Sequence, residues 1–392
     1  MSDAIVIVGA KRTAVGSLLG QFTGYPAPKL GATAIQAALA QSGLPAEAVS
    51  EVIMGCVLPA NLGQAPARQA ALAAGIPTAA GCTTVNKVCG SGMKAIMLGH
   101  DLILAGSAEV VVAGGMESMT NAPHMIPNSR SGTRFGNFEA VDHMAWDGLQ
   151  NPYDKQAMGV FGEQCVEKYG FSREAQDAFG AESVQRALAA IADGSFSEEI
   201  AAVTVPGRKG DVLVDTDEEP AKCDLGKIAS LRPAFKKDGT ITAASSSKIS
   251  DGAAATILMR ESAAIAQGIK PLARIVGHAT HSQAPEWFTT APVGAIDKLL
   301  KKLGWTVADV DLFEINEAFA CVPMAAITEL GIDRNRVNVH GGACALGHPI
   351  GASGARVVVT LIGALRTHGK KRGIATLCIG GGEATALAIE MP

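Results

Sequence analysis

The stretch Asn86-Lys87-Val88-Cys89-Gly90-Ser91-Gly92-Met93-Lys94-Ala95 decides how this chain is read. It sets a cysteine between a short β-like entry and an apolar run through Ile96, Met97, Leu98, Leu102, Ile103 and Leu104. Apolar residues fall on nearly every face of that run, which predicts a helix buried all round. Cys89 then stands at or just before a buried helix N-terminus. Free N–H groups and the positive dipole end favour an anion there, so the thiol pKa is expected to fall toward the thiolate. The glycines at 90 and 92 let another group approach the backbone closely. A lone cysteine is more often a small packing residue, so the case for chemistry rests on its surroundings.

Working outward, Ile5 to Val8 reads as a buried strand, Leu30 to Gln41 as an Ala-rich helix closed by Gly43, and Val52 to Met54 as a second strand. Pro66 to Ala74 carries proline at its start and Gly75 just past its end, the usual helix asymmetry. After the central helix, Val110 to Ala113 reads as a strand ending in Gly114-Gly115-Met116-Glu117. Strands alternating with helices predict an α/β unit whose sheet is covered on both faces.

The totals set bounds. A chain of 392 residues exceeds one ordinary core, so two or three domains are expected. Hydrophobic residues at 48% and charged residues at 18% fit a well-buried globular protein. Aromatics at 4% against 45 glycines favour tight Ala/Gly/Val packing. A net charge of −4 leaves no electrostatic footprint for nucleic acid. No apolar run stands out as a membrane span, and the acidic, then strand-like, start lacks the pattern of a signal peptide. Eight scattered cysteines are no disulfide framework, and a reduced, cytoplasmic setting is expected.

Composition changes after Met119. Residues 120–249 are richer in Asn, Asp, Arg, Ser, Gly and Pro, with helices expected at Gly159 to Lys168 and, after an N-cap at Ser172, on to Ala192. This is read as an inserted loop-and-helix lobe. The α/β pattern resumes at Ser250, so residues 1–119, completed by 250–270, form one half and residues 271–392 the other. The second half repeats the first: a helical stripe at Val293, Ile296, Leu300 and Leu303, a strand Val310 to Ile315, a helix with Pro323 early in it, a glycine-rich turn, a helix Arg356 to Thr367 and a strand Ile374 to Ile379. Val85-Asn86 with Gly90-Ser91-Gly92 matches Val337-Asn338 with Gly351-Ala352-Ser353-Gly354. Two packed similar halves bring their strand-end loops together, where α/β folds usually bind ligands.

Four polar groups fall on those loops: Cys89, Asn316, His348 and Cys378. A cysteine nucleophile needs a base, and His348 is the natural candidate. A reacting carbonyl needs oxyanion donors, which glycine backbones and Asn316 can supply. Cys378, before Gly380-Gly381-Gly382, could move a proton to and from carbon. Zinc would want close ligand pairs, and no CxxC-type spacing exists, so no metal is expected. No Walker or dinucleotide fingerprint is present either.

The four motifs Asn86-Lys87-Val88-Cys89-Gly90-Ser91-Gly92, Asn316-Glu317-Ala318-Phe319-Ala320, Gly341 through Gly354 around His348, and Cys378-Ile379-Gly380-Gly381-Gly382 resemble the thiolase family end to end, in order. The resemblance is nearest to the members that act as acetyl-CoA acetyltransferases. It implies a duplicated five-layered αβαβα fold with an inserted lobe that holds coenzyme A. It implies Cys89 as the acylated nucleophile, His348 as its base, Cys378 as the acid/base on carbon, Asn316 as holder of a water on the enolate, and Gly380 with Cys89 as oxyanion donors. For coenzyme A it nominates Ser247, Phe235, Ala243, Met158, Leu149, Ala318 and Phe319, with Lys227, or Lys222, toward the phosphates. Expected partners are acetyl-CoA, CoA and short 3-oxoacyl-CoA, with no cofactor beyond these substrates, no nucleic acid and no membrane. Residues 121–145 resemble a loop that pairs dimers into a homotetramer. The alternatives are a degradative 3-oxoacyl-CoA thiolase of broader chain length, a decarboxylating ketoacyl synthase, which would use one Cys with two His, and a non-catalytic acyl-CoA binding protein.

Overall fold

The computed structural model describes residues 3–207 and 210–392; Met1 and Ser2 of the expected N-terminal half and Arg208-Lys209 of the expected lobe lie outside them. Strand β1 (Ile5–Thr13), helix α1 (Ala27–Ser42), β2 (Glu51–Gly55), α2 (Pro66–Ala73), β3 (Gly81–Val85), α3 (Ser91–Leu104) and β4 (Val111–Ser118) follow in order. The local signals are the ones physical chemistry asks for. α1 stops at Gly43 in the left-handed conformation, whose N–H returns to the Leu39 carbonyl. α2 opens on Pro66, which lacks the N–H that the first turn would leave unpaired anyway.

The middle of the chain holds α4 (Met158–Tyr169) and α5 (Arg173–Ala192), the latter capped by the Ser172 side chain, which accepts from the Ala175 N–H. The chain then returns through β5 (Ser250–Arg260), β6 (Ala273–Ser282), α6 (Ala291–Leu303), β7 (Leu312–Ile315), α7 (Cys321–Leu330), α8 (Ile350–Thr367), β8 (Arg372–Ile379) and β9 (Glu383–Glu390).

The sheet runs β7-β8-β9-β6-β1-β5-β4-β2-β3. On one side β2 is parallel to β3 and β4, and β4 is antiparallel to β5. On the other, β7 is parallel to β8, β8 antiparallel to β9, and β9 antiparallel to β6. The two halves repeat one another about the β1–β6 seam, where only Ile5–Ile7 pair with Ala273–Ile275. The counterpart of β3 in the second half is reduced to one parallel bridge, Phe313 to Val337.

Three clusters of buried apolar residues fill the spaces between layers. One lies between α1/α2 and the first half-sheet, a second between α6/α7 and the second half-sheet. The third joins α3 and α8 to the inner faces of both half-sheets. The layer order is therefore α1/α2, sheet, α3/α8, sheet, α6/α7: the five-layered αβαβα arrangement that the resemblance implies. α8 is 18 residues long and apolar enough to span a membrane by composition, but it is the buried filling of this sandwich.

The two central helices meet without room for side chains. A Cβ on Gly92 of α3 would lie 2.7 Å from the Ala355 nitrogen, and one on Gly354 of α8 would strike the Met93 nitrogen. This explains two departures from the sequence reading. α8 begins at Ile350 rather than Arg356, because its Gly-Ala-Ser-Gly segment is helix packed against helix and not a turn. β4 likewise runs through Gly114–Ser118 instead of ending at the glycines, since a side chain on Gly115 would collide with the Gly351 carbonyl at the start of α8.

The middle segment is bolted on by charge. Arg12 of β1 is fully buried; its Nε donates to Glu199 at 2.5 Å, and its two Nη groups grip Asp217 at 2.7 and 2.9 Å. Its guanidinium also lies 4.9 Å from the Phe196 ring centre. Both carboxylates keep the Arg12 charge in place against the cost of burial. Removing one side of such a buried set strands the other charges, so Arg12→Ala is expected to cost about 3–5 kcal/mol. Urea unfolding of the variant beside wild type measures it; a loss below about 1 kcal/mol would mean the bolt carries no weight.

Candidate active site

Cys89 sits in a tight turn between β3 and α3. Gly90 N–H donates to the Lys87 carbonyl at 3.0 Å and Ser91 N–H to the Val88 carbonyl at 3.1 Å. The Ser91 hydroxyl accepts from Lys87 N–H at 2.8 Å and donates to the Val88 carbonyl at 2.7 Å. Asn86 Oδ1 accepts from Val88 N–H at 2.8 Å. Between them these bonds hold Val88, a β-branched residue, at φ +45°. That conformation is rare for such a side chain, and a site held by its surroundings is where it persists.

The turn is pressed against the end of β8. Gly90 packs under the Ile379 side chain, and Gly380 lies beside Val88 and Met158. Lys87 Nζ reaches Glu383 at 2.5 Å, tying the turn to the β8–β9 hairpin. The Gly380 N–H and the Cys89 N–H lie close enough to the Cys89 sulfur to favour its thiolate. Cys378, at the end of β8, is fully buried, and the two sulfurs are close enough for charge on Cys89 to raise Cys378.

His348 lies in the loop just before α8. Its backbone N–H donates to the Lys248 carbonyl at 3.0 Å. Its Nδ1 lies 2.6 Å from the Ser353 hydroxyl, which is 2.9 Å from the Pro349 carbonyl. A carbonyl only accepts, so the Ser353 proton goes to Pro349 and its oxygen accepts from Nδ1–H. The lone pair of His348 is then on Nε2. Asn316 Nδ2, a donor, faces that nitrogen at 3.5 Å.

The electrostatics correct one expectation. Half-buried Cys89 does lie just before α3, which begins at Ser91, but its thiol is not pulled toward the thiolate, because desolvation by the surrounding protein outweighs the helix end. Burial pushes the thiol up to about 11, against the opposing pull of the Gly380 and Cys89 N–H groups. Burial drives Cys378 well above the ordinary thiol value and His348 down to about 3. At neutral pH the resting site is thus uncharged: two thiols and a neutral imidazole whose free lone pair can take a proton.

A cleft of about 560 Å³ opens beside this group. Leu149, Met158, Phe235, Ala243, Ser247 and Phe319 of the nominated residues line it, with His348 at its wall. Met119, Leu149 and Ile350 connect it to Cys89, which packs against the same apolar cluster. Two nominated residues stand elsewhere. Ala318 lies behind the wall, where its carbonyl accepts from Ser247 N–H at 3.0 Å. Lys227 is exposed and paired with Asp224 at 3.0 Å, outside the lining. Lys222 does line the cavity, held by Glu218 at 2.7 Å and the Ser17 hydroxyl at 2.8 Å.

The sequence reading missed the support around these groups. Glu117, fully buried, accepts from the N–H groups of Val57 (3.0 Å), Leu58 (3.1 Å) and Gly351 (2.8 Å), tying the start of α8 to the opposite half. Burial lifts its pKa to about 7. Arg356 and Glu314, both buried, lie behind Asn316. A lone charge within the stretch Ile350–Leu365 was the available signal. Among the described residues one trio could hold a metal, His100, Asp101 and His278. It lines no part of the cavity, and both imidazoles lie 2.9 Å from the same Asp101 oxygen in a closed hydrogen-bonded set.

Family models for the thiolase N-terminal domain and the thiolase C-terminal domain match residues 5–262 and 269–391. The chain belongs to the thiolase family. It is 52% identical over 390 residues to an acetyl-CoA acetyltransferase of Chromobacterium violaceum, covering 99% of this chain and 100% of that one. An acetyl-CoA acetyltransferase of Pseudomonas aeruginosa is 51% identical over 387 residues, 98% of each chain. The crystal structure of a thiolase from Ascaris suum in complex with coenzyme A superposes with a TM-score of 0.94 at 42% identity, covering 99% of this chain and 100% of that chain.

The buried imidazole of this thiolase makes stability depend on pH with a definite sign. An unfolded histidine takes up a proton below about pH 6.5. Folded His348 refuses it down to about pH 3, so the fold loses stability as pH falls from 6.5. The slope is about 1.4 kcal/mol per pH unit for one proton. Unfolding of wild type and His348→Gln at pH 6.5 and 5.0 should therefore shift about 2 kcal/mol in favour of the variant at the lower pH. A gap that does not change with pH would place His348 in water, not in protein.

Proposed function

We propose that this thiolase is an acetyl-CoA C-acetyltransferase that reversibly condenses two acetyl-CoA into acetoacetyl-CoA and CoA through an acyl-enzyme on Cys89. The observation that carries the reading is the convergence of Cys89, Cys378 and the His348–Asn316 pair beside a deep, largely apolar cavity. The names of the relatives point the same way.

In the first half-reaction His348 Nε2 takes the Cys89 proton and the sulfur attacks the acetyl carbonyl. The bond from carbonyl carbon to CoA sulfur breaks, and the proton leaves with CoA. The Cys89 and Gly380 N–H groups hold the oxyanion, each donor lowering the barrier by about 3 kcal/mol. In the second, Cys378 gives its own thiol proton to the neutral His348 and the thiolate takes a proton from the methyl carbon of another acetyl-CoA; when the Cys89 thioester breaks, His348 returns the proton it holds to the Cys89 sulfur. Burial makes that thiolate hard to form and correspondingly basic. His348 and a water held by Asn316 support the enolate oxygen. The carbon attacks the acetyl group on Cys89, the thioester breaks, and acetoacetyl-CoA leaves. Covalent capture divides one hard step into two easier ones.

The small residues Ala243 and Ser247 and the ring of Phe235 form the wall for the pantetheine arm, and Lys222 and Lys248 are the cations of the lining. Short 3-oxoacyl-CoA are the substrates of the reverse direction, and CoA enters and leaves as substrate without a further cofactor. A homotetramer is the assembly, paired through residues 121–145. The reading is supported there by Phe135 at 99% and Phe138 at 63% exposure, apolar side chains that a partner copy would cover.

Two measurements test this. Intact-protein mass after brief mixing with acetyl-CoA should rise by one acetyl group, and Cys89→Ala should show no gain; an unmodified wild type with CoA binding intact would return the chain to a carrier role. Cys378→Ala should still gain the acetyl group while condensation falls by several orders of magnitude, as for removal of a general acid/base. Equal loss of both steps would refute the division of labour.

A further inference from the structure

Arg356 is the only charged residue between Ile350 and Leu365, and it is 2% exposed. Its ion pair is poor: Nη1 stands 3.5 Å from Glu314 Oε2, well beyond a strong charge-assisted bond. Arg356 Nε and Glu314 Oε1 have no partner among the described residues. Burial disfavours both charges, weakening Arg356 and lifting Glu314 to about 8. A buried pair this loose is no source of stability.

What the arginine does make is a bond to Asn316, with Nη2 at 3.2 Å from Oδ1. A guanidinium only donates, so the amide atom facing it must be the oxygen. That choice forces Nδ2, a donor, toward His348 Nε2 at 3.5 Å. A donor there favours a lone pair on Nε2, which leaves the proton on Nδ1, where the Ser353 oxygen accepts it. Turn the amide over and its oxygen would ask for a proton on Nε2 instead. The imidazole would then be a donor at Nε2, with no lone pair there to accept a proton.

We infer that Arg356 is a positioning residue: by donating to Asn316 Oδ1 it fixes the amide orientation that, together with Ser353 on the other side of the ring, keeps His348 in its Nδ1–H tautomer with Nε2 unprotonated. It acts through Asn316 and touches no substrate. The inference rests on the transferase reading only for the use made of His348.

The test is a coupling measurement. Arg356→Met with Glu314→Gln removes both charges together and leaves neither stranded. Asn316→Ala and the triple variant complete the set. The readouts are the rate of Cys89 labelling by iodoacetamide, mapped to its peptide, the kcat and KM for thiolysis of acetoacetyl-CoA, and the unfolding midpoint. The Met/Gln variant should lose about 10- to 100-fold in labelling rate and kcat, as for loss of a group that orients a ligand-bearing side chain. KM should stay within about twofold. The triple variant should be no slower than Asn316→Ala, since two residues acting in series are not additive.

Losses that add in the triple variant overturn the inference, as does unslowed labelling in either Asn316→Ala or the Met/Gln pair. Should the Met/Gln pair not fold, Arg356→Lys keeps a donor beside Asn316. It should label at least about tenfold faster than Asn316→Ala; equal rates overturn the inference. Iodoacetamide labelling needs no acyl-CoA. Intact coupling without acetyl transfer would refute the proposed function alone, and acetyl transfer without coupling would refute the role of Arg356 alone.

Discussion

The close crossing of α3 and α8 is the contact on which the rest depends. Glycine faces backbone on both sides of it, at Gly92 and at Gly354, and the two helices approach as no larger pair could. Each half of the molecule contributes one of these helices, and each helix is preceded by a loop carrying one reactive group, Cys89 or His348. The crossing therefore brings two residues far apart in sequence to one end of a single packed layer. Glu117 completes the alignment by accepting the Gly351 N–H, so that the loop before α8 is held from the opposite half. Outer helices and sheets close around most of this layer.

Burial has an electrostatic consequence. A desolvated site disfavours a free thiolate, and the resting Cys89, Cys378 and His348 are neutral. Charge has to appear together with its stabilisers: the Gly380 and Cys89 N–H groups for an oxyanion, the imidazole for a proton. Fixed dipoles cost no reorganisation when the charge forms, which is the advantage of placing them in protein and not in solvent.

Much of this was legible in the sequence. The duplication showed in the repeated order of strand, glycine turn and helix, and the four reactive groups in their position at strand ends. Helix ends with strong chemistry, Ser172 and Gly43 among them, fell where propensity put them. What stayed hidden depends on contacts between segments distant in the chain. The glycines of Gly351-Ala352-Ser353-Gly354 signal a turn locally, and only the partner helix makes them a helix. The N-terminal dipole argument for Cys89 was sound in water and failed because desolvation of the half-buried sulfur outweighs it. β6 and β9, each carrying charged or histidine positions at its rim, gave no clean alternation to read. Arg356 and Glu117 look unremarkable until their partners are known.

The β5 strand has a consequence for how the molecule is made. It lies between β1 and β4, yet it is separated from them by the whole middle segment. During synthesis β1 must wait, its ladder unfilled, until residues 250–260 have left the ribosome. The first half can therefore not close as a nascent domain, and long-range pairing of this kind is slow and leaves strand edges open. A chain cut before β5 would be missing the strand that joins β1 to the rest of its first half, so the lobe between is part of the wait and not an appendage to a finished core.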